Sequence, residues 1–205
     1  METDGALIEQ SVRGRPDAFV EVVQRHEVAV HGFLARRAGH QVADDLLGEV
    51  WLRAFAARGG YDPGYDDARP WLYGIARNVL RTHWRASRAR RDADHQAAEA
   101  HQAAEAAVDP WDDVVDRLDS AARSQDLVSA LRGLPAAERD VLLLVAWEQL
   151  TPAEAAVVLG VPPGTARSRL HRARAALRAV LGGRPESGGG RPESGGRPES
   201  ALRKE

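Results

Sequence analysis

The stretch TPAEAAVVLGVPPGTARSRLHRARAALRAVL, residues 151–181, decides the fold. Thr151 with Glu154 three residues on has the form of a capping box, which marks a helix start. Gly160 breaks that helix, and Pro163 suits the first turn of the next, where its missing N–H costs nothing. In this second helix Ala166, Leu170, Ala173 and Leu177 are spaced four, three and four, as a buried seam requires. Arg167, His171, Arg174 and Arg178 repeat the same spacing on another face, with Ser168 and Arg172 alongside.

Two helices, a tight turn and one-sided arginine together form the pattern of a helix-turn-helix. The N-terminal half of such a second helix enters the major groove. That puts Thr165, Arg167, Ser168, His171 and Arg172 near bases and phosphates, and Arg174 and Arg178 nearer the backbone. The competing reading, an ordinary surface helix of a plain bundle, leaves the clustering of arginine on one side without a cause.

Working outward, composition favours helix throughout. Ala, Leu, Arg and Glu are prominent, strand formers are sparse, and aromatics are 5% of the 205 residues. The net charge of -2 and pI near 6.4 argue against a nucleic-acid binder on average. The average misleads, because arginine crowds residues 77–91 and 167–178 while carboxylates crowd 44–49, 62–67 and 109–119. A phosphate backbone responds to local charge, within a screening length of about 10 Å. There is no cysteine, hence neither a disulfide framework nor a thiolate metal site. The N-terminal METDGALIEQ lacks a signal peptide's apolar core. No run approaches the roughly 20 apolar residues that span a bilayer. A cytoplasmic protein without membrane insertion is expected.

In chain order, residues 7–12 suit a short helix ended by Arg13-Gly14-Arg15. Phe19, Val22, Val23, Val30, Phe33 and Leu34 then recur at helical spacing up to Gly39-His40. In the next helix, 42–58, Val42, Leu46, Val50 and Ala54 step by four along a buried face that Leu47 and Phe55 widen. Asp45, Glu49 and Arg53 step by four on the solvent side. Residues 59–68, GGYDPGYDDA, are a loop, and its Tyr61 and Tyr65 either anchor it or offer stacking platforms for unpaired bases. From 70 to 91 a helix carries Leu72, Ile75, Ala76, Val79 and Leu80 toward a core. Arg77, Arg81, Arg85 and Arg88 form a basic stripe with Trp84 beside it, read as a phosphate-binding surface.

HQAAEA occurs twice in tandem within 92–124, a helix-prone linker with little to bury. Its His95 and His101 are six apart and share no helical face, so no metal site is expected. Leu127, Leu131 and Leu134 mark a further amphipathic helix, Pro135 opens the next, and the run from Val141 to Ala146 is apolar nearly all round. Three RPES repeats between glycine runs make 183–205 a disordered tail.

The whole arrangement resembles a known family. DDLLGEVWLRAF (44–55) looks like the second conserved region of bacterial sigma factors, and WLYGIARN (71–78) resembles the WLxxIARN signature that follows it. LPAAER (134–139) with GTARSRLHRAR (164–174) is similar to the fourth region. Their order and separation match the short extracytoplasmic-function (ECF) sigma factors. Three positions depart from the family's habit: Thr82, Ala166 and Pro162 stand where Asp, Val and a capping Ser or Asp are common.

The resemblance implies an all-α chain of two small helical domains joined by a linker. The domains are region two (1–91), the linker (92–124), region four with the helix-turn-helix (125–182) and the tail (183–205). It further implies that Asp44, Asp45, Glu49, Trp51 and Arg53 face the β′ clamp helices of core RNA polymerase. Tyr61, Tyr65, Arg77, Asn78, Arg81, Trp84, Arg85 and Arg88 would serve the minus-ten element of promoter DNA. Thr165, Arg167, Ser168, His171, Arg172 and Arg174 would read the minus-thirty-five element, with their domain on the β flap. An anti-sigma factor is a further partner the resemblance admits. No catalytic residue, cofactor or metal is implied. The alternative is a stand-alone helix-turn-helix regulator, which would need a dimer surface or effector domain that no stretch here resembles.

Overall fold

The computed structural model describes residues 2–96 and 125–182, with side chains over 2–90 and 127–180. The expected linker beyond residue 96 and the expected tail lie outside the described residues. Eight α-helices run in order: α1 Asp4–Val12, α2 Ala18–Ala38, α3 His40–Ala57, α4 Arg69–Gln96, α5 Gln125–Arg132, α6 Ala136–Trp147, α7 Pro152–Leu159 and α8 Pro163–Gly182. Among the described residues there is no strand, as the composition requires.

Local chemistry sets the ends. α1 starts three residues before the sequence suggests because Thr3 caps it, its Oγ1 accepting from the Ala6 N–H at 3.3 Å. Gly39, at φ 84°, separates α2 from α3 and donates its N–H to Ala35 O at 2.9 Å. Asp67 Oδ1 accepts from the Arg69 N–H at 2.9 Å where α4 begins.

The first core lies among α1–α4 and holds Leu7, Ile8, Phe19, Val22, Val30, Phe33, Leu34, Val50, Leu72 and Leu80. Phe33 stacks on Tyr73 with ring centroids 4.8 Å apart. The second core lies among α5–α8 and holds Leu131, Leu134, Val141, Leu142, Leu143, Ala156, Ala166, Leu170 and Ala173.

Two expected core residues sit elsewhere. Leu127 is 41% exposed, and Val128 and Ala130 turn inward instead, because docking of this short helix sets its rotation rather than its own periodicity. Phe55 is 37% exposed; its ring meets Phe19 edge-on at 5.5 Å and carries the Arg58 guanidinium 3.6 Å from its centroid. An arginine that can shield an aromatic face removes the need to bury it.

The two units touch directly. Leu144, Leu150, Ala155 and Val158 from the second unit pack into the first core. Burying a Leu or Val side chain is worth about 1.5–3 kcal/mol, so these contacts are a substantial gross contribution. α7 approaches α4 so closely that a Cβ on Gly74 would lie 4.0 Å from the Val158 Cα. The two small helical domains expected from sequence are present, and they also pack against each other.

Candidate nucleic-acid interface

The geometry of residues 151–181 follows their chemistry. Thr151 Oγ1 accepts from the Glu154 N–H at 3.2 Å, and Glu154 Oε2 accepts from the Thr151 N–H at 2.7 Å, closing the capping box. Gly160 adopts the left-handed conformation (φ 66°, ψ 38°), and Val161 N–H donates back to Ala156 O at 3.0 Å. Pro162 offers no capping side chain, but its carbonyl accepts from Thr165 N–H at 2.9 Å.

This turn aims α8 so that Ala166, Leu170 and Ala173 are buried and Leu177 is half-buried. Arg167, Ser168, His171, Arg172, Arg174 and Arg178 are exposed along the other side, and Thr165 is half-buried. Arg172 is not loose: its Nε donates to Glu138 Oε1 at 2.6 Å, which ties α8 to α6. One side of α8 is therefore a band of guanidinium and imidazole groups on a rigid support.

α4 presents a second basic surface. Asn78, Arg81 and Arg85 are exposed and Arg88 is half-buried. Burial, and then Arg90, lower the His83 pKa, so arginine supplies the positive charge here. Arg77 is half-buried, with one guanidinium nitrogen 3.5 Å from Asp140 Oδ2 of α6. Trp84 is a correction. It is 5% exposed and belongs to the core, not to the surface beside the stripe. Leu72, Ala76, Leu80 and Trp84 step by four, and that spacing was the signal for a buried seam.

The loop divides its two tyrosines between the two roles. Tyr61 is half-buried, meets Trp71 edge-on at 5.1 Å and donates its hydroxyl to Tyr65 O at 2.9 Å. Burial, then the carboxylates of Asp4 and Asp67, push its pKa well above the ordinary phenol value. Tyr61 anchors. Tyr65 is 54% exposed and is the ring offered outward.

What holds this loop was not legible in the sequence. Asp4 Oδ2 accepts from the Ala68 N–H at 2.9 Å and lies 2.6 Å from His26 Nε2, while Arg25 donates to Asp4 Oδ1 at 3.1 Å. Burial pushes the Asp4 carboxyl up, but His26, the Ala68 amide and Arg25 outweigh it and hold its pKa at about 2. Asp4, His26 and Asp67 lie close enough to surround a cation. Their protein partners, including Arg69 on Asp67 at 2.6 Å, already neutralise them, so the cluster reads as an ion-pair knot.

On α3, Asp44, Asp45, Glu49 and Arg53 are exposed, with Arg53 Nε donating to Glu49 Oε1 at 2.7 Å and His31 Nε2 2.8 Å from Asp44 Oδ1. Trp51 is half-buried against the first core. Leu52, 70% exposed next to Arg53, is an apolar member of this face that charge patterning alone overlooks.

Comparison with known proteins agrees with this layout. Residues 22–90 match the family model for sigma-70 region 2, and residues 124–177 match that for sigma-70 region 4. The chain is 35% identical to the RNA polymerase sigma factor CarQ of Myxococcus xanthus over 170 residues, covering 82% of this chain and 92% of that one. It is 33% identical to the ECF RNA polymerase sigma factor SigC of Mycobacterium tuberculosis, covering 85% of this chain and 89% of the other. Among solved structures it resembles CnrH in complex with the cytosolic domain of CnrY. That likeness has a TM-score of 0.58 and 26% identity, and covers 88% of this chain and 97% of that one.

Proposed function

The chain belongs to the sigma-70 family of RNA polymerase sigma factors, in its ECF branch, and from that premise we propose which of its surfaces makes each contact. It binds core RNA polymerase and directs promoter-specific transcription initiation. The exposed band of α8, with Thr165, Arg167, Ser168, His171, Arg172 and Arg174, reads the minus-thirty-five element from the major groove. Asn78, Arg77, Arg81, Arg85 and Arg88 on α4 hold the phosphates beside the minus-ten element.

Tyr65 is the stacking ring for an unpaired minus-ten base, and Tyr61 keeps the loop in shape behind it. Unstacking a base costs a few kcal/mol, which a stacking contact can offset without a catalytic group. Asp44, Asp45, Glu49 and Arg53 face core polymerase, with Leu52 as the apolar contact and Trp51 as support from the core side. The polymerase carries out the chemistry, and this chain supplies recognition; its place of work is the cytoplasm. An anti-sigma factor is a further partner in this reading, and CnrH, which the chain resembles, is solved in complex with the cytosolic domain of a second protein, CnrY.

One observation carries this reading: a single chain presents two separate arginine surfaces, on α4 and α8, each within a matched sigma region. Run-off transcription with reconstituted core polymerase on a promoter library tests it. Specific transcripts should require both the chain and the core enzyme. Nanomolar promoter binding by the chain alone, with no effect on transcription, would instead establish a stand-alone regulator.

A further inference from the structure

The loop at 59–68 leans on a helix that lies ahead of residues 22–90, the span matched to sigma-70 region 2. α1 meets it with its first turn. The Asp4 N–H donates to Asp66 O at 3.2 Å, and two residues further along the loop the Ala68 N–H donates to Asp4 Oδ2 at 2.9 Å. The first N–H groups of a helix have no partner within it, so the loop carbonyl satisfies one of them. Asp4 is 5% exposed and is held in turn by α2, through Arg25 and His26.

Gly5 makes the contact tight. A Cβ there would lie 2.6 Å from Pro63 O and 3.0 Å from Tyr65 O, both backbone atoms that no side-chain rotation moves aside. Glycine weakens a helix relative to alanine, so its place in α1 answers this close approach and not the needs of the helix. Tyr65 is fixed from the other side as well. Its carbonyl accepts from the Tyr61 hydroxyl at 2.9 Å, and its N–H donates to Asp62 O at 3.1 Å.

Stacking by itself does not choose a base, because every base offers a π face. Choice comes from hydrogen-bonding groups set around the edge of the stacked base, and so from how firmly the loop backbone is held. A loosened loop keeps the stack and loses the choice. We propose that α1 sets the base preference at the minus-ten element. Asp4 and Gly5 are positioning residues, buried behind the loop, that hold Tyr65 and its neighbouring backbone in the shape that discriminates the unpaired base. The inference rests on Tyr65 being the stacking ring.

Holoenzyme reconstituted from core polymerase and the full chain tests this on a promoter from the run-off library, with each minus-ten position set to the four bases in turn. Wild type should prefer one base by about tenfold at the position Tyr65 reads, and Tyr65→Ala should flatten that position. Gly5→Ala should bring the same preference to within about twofold. Preferences at the minus-thirty-five element, affinity for core polymerase and helical circular dichroism should stay as in wild type. Asp4→Asn adds no volume and should do the same below its melting temperature; it carries the test if Gly5→Ala loses helix.

A merely structural loss lowers transcription from all promoters alike, whereas a positioning role changes the ratio at one position. Undiminished preference in Gly5→Ala where Tyr65→Ala is flat, or equal losses at both promoter elements, overturns the proposal while the Tyr65 assignment stands. If Tyr65→Ala leaves every minus-ten ratio unchanged, the assignment itself fails, and the role of α1 falls with it.

Discussion

The carboxylate of Asp4 joins the start of α1 to α2 through His26 and Arg25, and to the loop at 59–68 through the Ala68 amide. Its pKa is about 2 in the fold against an ordinary 3.8, so the charged form is favoured by folding. The stabilisation is complete above about pH 4 and is lost as pH falls toward about 2. Asp4→Asn should lower the melting temperature at neutral pH and flatten its pH dependence across that window, read by thermal denaturation. Arg172, tied to Glu138, is held where the proposed reading needs it. Arg172→Ala should cost about 1–3 kcal/mol of minus-thirty-five-dependent binding, measured with holoenzyme on matched and mutated promoters. Trp84 teaches caution at this scale. An aromatic among arginines looks like a stacking group until its register with Leu72, Ala76 and Leu80 is counted.

At the scale of the element, the helix-turn-helix owes its shape to signals that act over three or four residues. Thr151, Glu154, Gly160 and Pro163 each answer a local backbone need, which is why this motif was fully legible from residues 151–181. Thr151→Ala removes one side of the capping box and should cost about 1 kcal/mol, seen as earlier unfolding of the α5–α8 unit. α3 was legible in its Val50–Ala54 seam and its Glu49–Arg53 row, which fall on different faces, but not in Phe55, which lies exposed. Glu49→Arg breaks the Arg53 pair on the proposed docking face. It should weaken association with core polymerase, measured by competition, without changing helix content. The rotation of α5 was not legible, since an eight-residue helix takes its facing from what it docks against.

At the scale of the molecule, Arg37 of α2 donates to the carboxylate of Glu148, just past the end of α6, at 2.9 Å. This pair lies beyond the reach of solvent ions, and its surround is apolar. Screening acts on exposed charges over about 10 Å and much less on buried ones. The small-angle scattering profile of the free chain should therefore stay constant from about 50 to about 500 mM salt, whereas an electrostatic surface contact would open. Residue order by itself determined the all-helical class, the helix-turn-helix, the basic faces of α4 and α8 and the acidic face of α3. Those features depend on periodicity and capping, which act within a few residues along the chain. Only the tertiary structure decided that Tyr61 anchors while Tyr65 is presented, that Asp4 braces the loop, and that Glu148 pairs with Arg37 across the two units. The pairings of Asp4 and Glu148 join residues 22, 64 and 111 positions apart, and local spacing carries no record of a partner brought close only by folding.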